Sequence, residues 1–427
     1  MIWKGFFNNN NISNLQLNDP IFDNLIKIQL LLYADDTVLL ADNPINLQNA
    51  LNCLSEYCTN WKLEVNIEKT KIVIFSRGKC KNSHVFTFNG DNVTVVETFT
   101  YLGTVFNYNG SFVSHKKHIV IKAQRAMFAV LKRSRELELP IDIQLELFDS
   151  LVMPILLYGC EIWGFENVEI LEKLHLKFLK YMLCLKPSTP SCMVLGETGR
   201  FPLSVLIKTR MISFWSKLLC QKDSKLSSIM YNILYLFHAN NVYSSKWLTY
   251  ISSIFNNTGF SYIWLLQEPP EMSTLSTVIK RKLEDQYIQD WLSIVNASPK
   301  CVLYRTYKHK FELEKYLSIL SPYYRKILCR FRTSNHKLPI ETGIFNNVPH
   351  ENRLCNFCND NKMCDEFHLL LECPVLIHIR RKFLPSYSLS NPNVLKFQNV
   401  MSSNTEPMLK KIAQYIKQSF KCYNLYI

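Results

Sequence analysis

The chain is poor in glycine, with 11 in 427 residues. That leaves little room for the turn-rich pattern of an all-β protein or for a glycine-rich phosphate loop, so helix should dominate. It also has no uninterrupted apolar run of about 18 residues, the length a membrane-spanning helix needs, which predicts no membrane partner. Met1 to Asn14 lacks the basic-then-apolar-then-small order of a signal peptide. No internal repeat and no long flexible linker is present. Cysteine is plentiful at 14, but most stand singly in apolar stretches, as Cys53, Cys160, Cys184, Cys220 and Cys329 do. Scattered single cysteines are the pattern of buried reduced thiols, not of a disulfide framework. The expectation is an intracellular protein, nuclear or cytoplasmic.

What is present is core-forming material and positive charge. With 48% hydrophobic and 13% aromatic residues the chain can bury sizeable cores in two or three domains. Its 49 Lys and Arg against 35 Asp and Glu give a formal net charge of +14, a field that favours polyanions. Nucleic acid is the first partner to consider.

The hydrophobic pattern sets the order of elements. Ile26 to Ala41 is an apolar stretch split by Asp35 and Asp36, which predicts two short buried strands joined by a tight acidic turn. From Pro44 to Trp61, Leu47, Ala50, Leu51, Leu54, Tyr57, Cys58 and Trp61 recur at helical spacing, with the proline at the tolerated start. Lys71 to Phe75 reads as a strand, and Val85 to Val96 as a strand pair around Asn89-Gly90. Lys116 to Cys220 is a succession of basic amphipathic helices broken at Pro140, Pro154 and Pro187 to Pro190. Lys222 to Leu320 has aromatic residues at helical spacing but no motif. Between Leu338 and Pro374 the texture turns loop-like and cysteine-rich, and a basic helical tail follows.

Paired carboxylates on a rigid turn suit hard Mg²⁺ ions, which in nucleotide addition activate the attacking 3′ hydroxyl and stabilise the leaving pyrophosphate. Tyr33-Ala34-Asp35-Asp36, between Leu30-Leu31-Leu32 and Thr37-Val38-Leu39-Leu40-Ala41, resembles the third catalytic motif of reverse transcriptases. Leu63-Glu64-Val65-Asn66-Ile67-Glu68-Lys69-Thr70-Lys71 is similar to the family's next motif, with Lys69 at the lysine position. An ammonium there suits the triphosphate and could protonate the departing pyrophosphate. Phe99-Thr100-Tyr101-Leu102-Gly103 resembles the primer grip. Leu156-Leu157-Tyr158-Gly159-Cys160-Glu161-Ile162-Trp163-Gly164 resembles a thumb segment of retrotransposon enzymes lacking long terminal repeats. These motifs occur in the family's order, and that order carries the resemblance.

The resemblance implies RNA-directed DNA synthesis by target-primed reverse transcription, with Mg²⁺ at the catalytic residues Asp35 and Asp36 and Lys69 beside them. RNA template and DNA primer or target are the implied partners, with nucleic-acid contacts at Phe99, Tyr101, Leu102 and Gly103. The family carries a further catalytic aspartate on an earlier strand, and nothing here matches it; Asp19 and Asp23 lie upstream but outside a fitting pattern. The expectation is therefore an N-terminally truncated reverse transcriptase, inactive alone and completed by an upstream polymerase and endonuclease portion. The competing expectation is a non-catalytic nucleic-acid-binding remnant. A protein-interaction scaffold is disfavoured by the charge.

Cys355, Cys358, His368 and Cys373 follow the spacing C-x2-C-x9-H-x4-C, which suits a structural, four-ligand Zn²⁺ site. Cys364 lies between them as an alternative ligand or a bystander, and the His368 to Cys373 spacing favours the bystander. Arg353-Leu354 and Asp365 to Pro374 resemble the C-terminal zinc knuckle of non-LTR retrotransposon proteins, as does the upstream run His336 to Thr342. Arg353, Phe357, Lys362 and Phe367 could contact nucleic acid, while Asp360, Asp365, Glu366 and Glu372 weaken that case and leave protein docking open. The fold expected is α+β at the N-terminus, then a mainly α-helical thumb and C-terminal region with a small zinc knuckle. Its parts are a partial palm (1–110), a thumb-like region (111–221), a helical connector (222–345), the knuckle (346–380) and a basic tail (381–427).

Overall fold

Short strands come first and helices follow in the computed structural model, which describes residues 30–76, 78, 84–222 and 225–425. β1 (Leu30–Tyr33) and β2 (Asp36–Leu39) pair antiparallel with Tyr33 opposite Asp36. Asn43 then caps α1 (Pro44–Trp61), its side chain accepting the Asn46 N–H at 2.8 Å, and the helix ends at Lys62 in the left-handed conformation. β3 (Lys71–Ile72), β4 (Phe86–Phe88) and β5 (Asp91–Val95) form a sheet in the order β3-β5-β4. The apolar stripe of α1, Leu47, Leu51 and Cys58, buries against Ile72, Phe86, Phe88 and Val93 of this sheet. β6 (Thr98–Tyr101) and β7 (Thr104–Asn107) make a second hairpin.

The longer helices that follow include α2 (Val113–Glu136), α3 (Glu169–Met182), α4 (Ser191–Thr198), α5 (Leu203–Cys220), α6 (Leu226–Ala239), α7 (Lys246–Thr258), α8 (Met272–Ala297), α9 (Pro322–Arg332), α10 (Ile377–Phe383) and α11 (Glu406–Cys422). Together the elements build two units. The first takes Met1–Ile121, Tyr158–Val168 and Ile207–Ile279; the second takes Lys122–Leu157, Glu169–Leu206 and Lys280–Ile427. The strands belong to the first, beside a helical core in which buried Trp215 of α5 packs edge-on to Phe255 of α7 and donates to the Tyr231 hydroxyl of α6 at 2.8 Å.

The second unit is organised by a buried ion network that sequence inspection does not reveal. Arg332 of α9 donates through Nε and Nη2 to the two carboxylate oxygens of Glu197 in α4, at 2.9 and 3.0 Å, and through Nη1 to the Met401 carbonyl at 2.8 Å. Tyr316 donates to Glu197 at 2.6 Å, and Glu314 accepts from both Arg332 and Lys308. Burial alone raises the Glu197 pKa, but Arg332, Lys308 and Tyr316 outweigh it and hold the carboxyl below its ordinary range. A charge buried this deeply is tolerable only because every oxygen has a partner.

Four expectations need correction. The β1–β2 strands are not buried: Leu30, Leu32 and Tyr33 are 45%, 68% and 63% exposed, because these strands pair only with each other and just Leu39 and Ala41 reach the α1 core. The strand read over Lys71 to Phe75 shrinks to Lys71–Ile72, the part that finds a parallel partner in β5. Pro154 does not break the chain's helical course. A five-residue π turn, Phe148–Val152, shifts the bonding so that the Met153 N–H reaches the Phe148 carbonyl just before the residue that has no N–H to offer. Finally, the loop-like stretch after Leu338 contains a helix, Pro339–Phe345. Asp19 and Asp23 lie outside the described residues.

Candidate functional site

The acidic turn forms as its sequence predicts. Ala34, at φ 52°, and Asp35 link the two strands, and Asp36 starts β2 directly opposite Tyr33. Both carboxylates are exposed at the hairpin tip. Among the described residues no third acidic or thiol ligand lies with them, and no ion pair joins either one to Lys69. Lys69 occupies a separate turn that Asn66 shapes, its side chain accepting the Lys69 N–H at 3.0 Å while its carbonyl accepts from Thr70. The asparagine of this segment thus has a local conformational task.

The second hairpin is better braced than its sequence suggests. Leu102 (φ 45°) and Gly103 (φ 76°) form its two-residue turn, both in the left-handed region that matches the twist of the strands. The Tyr158 hydroxyl donates to the Leu102 carbonyl at 2.9 Å, and its ring would lie 3.3 Å from a Cβ placed on Gly103. Tyr158 is held in turn by the Trp163 indole, which donates to its carbonyl at 3.0 Å and packs edge-on to His115. His115 Nδ1 accepts the Val105 N–H of β7 at 3.2 Å. Two segments read as separate motifs, 99–103 and 156–164, are therefore parts of one assembly.

The cysteine cluster closes as its spacing requires. Cys355, Cys358, His368 and Cys373 offer ligand atoms that all lie within 4.8 Å of one another, a set able to hold a metal ion. Leu354 bridges Met363, and the Cys355 N–H bonds the Lys362 carbonyl at 2.8 Å, so the first two thiols sit on a tight knuckle. His368–Glu372 is a π turn in which the Cys373 N–H reaches the His368 carbonyl at 2.9 Å, bringing residues five apart to the same side. Cys364 is fully buried against Cys355 but is not one of the four.

The donor set fits a divalent cation. Hydrogen bonds from Cys364 and Cys373 push the Cys355 thiol down, while theirs are pushed up: sulfurs this crowded compete for one negative charge unless a cation shares it. His368 Nε2 faces Cys358 at 3.5 Å, and Nδ1 lies 3.2 Å from Glu372, which also accepts from Lys362 at 2.8 Å. A carboxylate on Nδ1 leaves the Nε2 lone pair for a metal.

The reverse transcriptase (RNA-dependent DNA polymerase) family model matches residues 7–106, the segment holding both hairpins. Over 142 residues the chain is 30% identical to a transposon-derived protein of Caenorhabditis elegans, covering 32% of this chain and 48% of that one. Over 156 residues it is 24% identical to the RNA-directed DNA polymerase from mobile element jockey of Drosophila melanogaster, covering 34% of this chain and 16% of that one. These matches support a reverse transcriptase of a non-LTR element. The chain spans about half the length of one of these relatives and about a sixth of the other.

In the knuckle, half-buried Arg353 and Phe357 and exposed Lys362 all have partners within the chain. Arg353 donates to the carbonyls of Val348 and Ile340 at 3.0 and 3.1 Å, Lys362 is paired with Glu372, and Phe357 stacks on Tyr423 with ring centroids 3.8 Å apart. Glu372, Tyr158 and Tyr423 carry structural tasks at these sites that the motif reading missed. For Glu372 a signal existed: a carboxylate four residues after a ligand histidine on a helical turn is placed to orient it. No helix among the described residues is long and apolar enough to cross a membrane.

Proposed function

We propose that this chain is the C-terminal portion of an RNA-directed DNA polymerase of a non-LTR retrotransposon, in which Asp35 and Asp36 are two of the catalytic Mg²⁺ ligands. The observation that carries this reading is the tight hairpin presenting both carboxylates at its open tip, inside the segment that matches the family model. When bound there, Mg²⁺ supplies charge stabilisation to the reacting phosphates and activates the primer hydroxyl. The protein's part is positional: the β1–β2 turn aims the carboxylates, Lys69 approaches the triphosphate, and the 98–107 hairpin, steadied by Tyr158, supports the primer end. The Cys355, Cys358, His368 and Cys373 set holds structural Zn²⁺ in this proposal, its four protein ligands leaving no position for substrate.

With only two carboxylates at the tip among the described residues, the chain by itself binds template and primer without extending them. The test is extension of a DNA primer on an RNA template with Mg²⁺, alongside salt-dependent binding of the same hybrid. Binding that weakens steeply with salt, and no extension, is the expected result. Extension by the chain alone that Asp36→Asn abolishes would keep the metal assignment and overturn the inactivity. Extension that survives Asp36→Asn would remove Asp36 from the site.

A further inference from the structure

The positive charge of the second unit is concentrated on its last helices. α9, α10 and α11 carry eleven Lys and Arg and a single carboxylate, Glu406. α11 packs against both of the others. Three of the arginines face inward: Arg325 donates to the Leu320 carbonyl, Arg380 to those of Leu370 and Cys373, and Arg332 to Glu197. The apolar stripe of α11, including Leu409, Ile412, Ile416 and Phe420, is buried. Its outer face is Lys410, Lys411, Gln414, Lys417, Gln418 and Lys421.

Two tyrosines lie within this cationic face. Tyr323 of α9 is 52% exposed and meets Tyr324 edge-on with ring centroids 5.3 Å apart. Lys417 Nζ lies 4.9 Å from the Tyr323 ring and Lys410 Nζ 5.9 Å from that of Tyr324, while Gln414 donates to the Tyr324 hydroxyl at 3.3 Å. Aromatic rings on one helix set beside exposed ammonium groups of its neighbour offer what an unpaired, stacked strand requires. Rings take the bases and ammonium groups take the phosphates on either side. A duplex fits less well, since its base faces are already stacked. A lipid surface fits less well too, because α11 has turned its apolar residues into the protein core and has none left for insertion.

We propose that the α9–α11 face binds single-stranded nucleic acid, with Tyr323 stacking a base and Lys410 and Lys417 contacting the adjoining phosphates. The cysteine cluster then acts as the clasp that fixes this face instead of as the contact surface. Tyr423, just past α11, stacks on Phe357 and brings its hydroxyl 3.8 Å from the Cys355 sulfur, and Tyr415 of α11 donates to the Leu369 carbonyl at 2.6 Å. The knuckle's own basic side chains, Arg353 and Lys362, are already paired. The proposal rests on the reading of the chain as a nucleic-acid-binding part of a reverse transcriptase.

The experiment is fluorescence anisotropy of the full chain with a labelled single-stranded RNA of about 30 nucleotides, repeated across a salt series and with DNA of the same sequence. Lys410→Gln/Lys417→Gln should weaken binding and lower the log–log salt slope by about 1.4, near 0.7 per lost phosphate contact. Tyr323→Ala should weaken binding about 5- to 150-fold with the slope unchanged, as loss of one stacked base predicts. RNA and DNA losses of equal size mean that the face reads stacking and phosphate, and a loss confined to RNA adds the 2′ hydroxyl; either supports it. Wild-type affinity and slope in both variants would overturn the proposal while leaving the family reading intact. Loss of anionic-vesicle binding with RNA binding unchanged would also overturn it, in favour of a membrane surface. A wild-type chain that binds no RNA would bring down this proposal and the binding reading together.

Discussion

The acidic hairpin and the cysteine cluster are both made of a few ligand-type residues on a tight turn, yet they are opposite constructions. Asp35 and Asp36 stand exposed at the tip of a two-stranded ribbon whose own leucines are half in solvent. Cys355, His368 and Cys373 are buried, and their neighbours are oriented by Glu372, Lys362 and Arg380. A cation that serves as a structural staple is enclosed by protein ligands, whereas one that meets substrate phosphates needs open coordination positions. Stability should therefore depend heavily on the cluster and hardly at all on the hairpin.

That contrast can be broken at its strong end first. Chelation, or Cys355→Ser, should remove about one equivalent of zinc and lower the melting temperature more than any other change named here, since structural zinc contributes directly to folding. A metal-free chain with unchanged melting would erase the difference between the two sites. Arg332→Met comes next: it leaves Glu197 buried without its main partner and should cost about 3–5 kcal/mol in urea unfolding. The same pair sets a pH dependence. Because the Glu197 pKa is depressed on folding, its contribution is complete above the ordinary carboxylate range and is lost as pH falls through the lowered value. Stability that rises on acidification from pH 6 to 3 would contradict this.

Smaller effects sharpen the comparison. Glu372→Gln keeps all four ligands but weakens the orientation of His368, and a competition titration should show metal affinity reduced about 10- to 100-fold. Asp36→Asn should change thermal stability by less than about 0.5 kcal/mol, as expected for an exposed residue without a packing role. A larger loss would mean that the hairpin is held by its carboxylate.

Much of this was legible in advance where local chemistry decides the outcome. Pro44 and the stripe Leu47, Leu51, Cys58 define the span of α1, and the five-residue step from His368 to Cys373 matches the π turn that closes the cluster. The hairpin at 30–39 follows from an apolar stretch split by Asp35 and Asp36, whereas that at 98–107 is suggested only by the resemblance of Phe99 to Gly103 to a primer grip. Burial was misread for the first of them, because apolar sequence predicts a desire for cover and not the presence of a covering layer. Partners distant in sequence were invisible. Nothing near Glu197 announces Arg332, 135 residues away, and nothing in Phe99 to Gly103 points to Tyr158. Arg353 reads as a nucleic-acid contact by its charge, and nothing around it in sequence announces its bonds to the Ile340 and Val348 carbonyls.

The way the chain alternates between its two units has a consequence for how the protein is made. The first unit receives Met1–Ile121 early, but its last segment, Ile207–Ile279, leaves the ribosome only after two stretches destined for the second unit have emerged. At roughly 5–20 residues per second that gap lasts seconds, long enough for α1 and its sheet to settle before α5 to α7 have emerged. Nascent chains of this protein should therefore depend on holding chaperones until residue 279 is free, and the first unit cannot be isolated as one continuous N-terminal fragment.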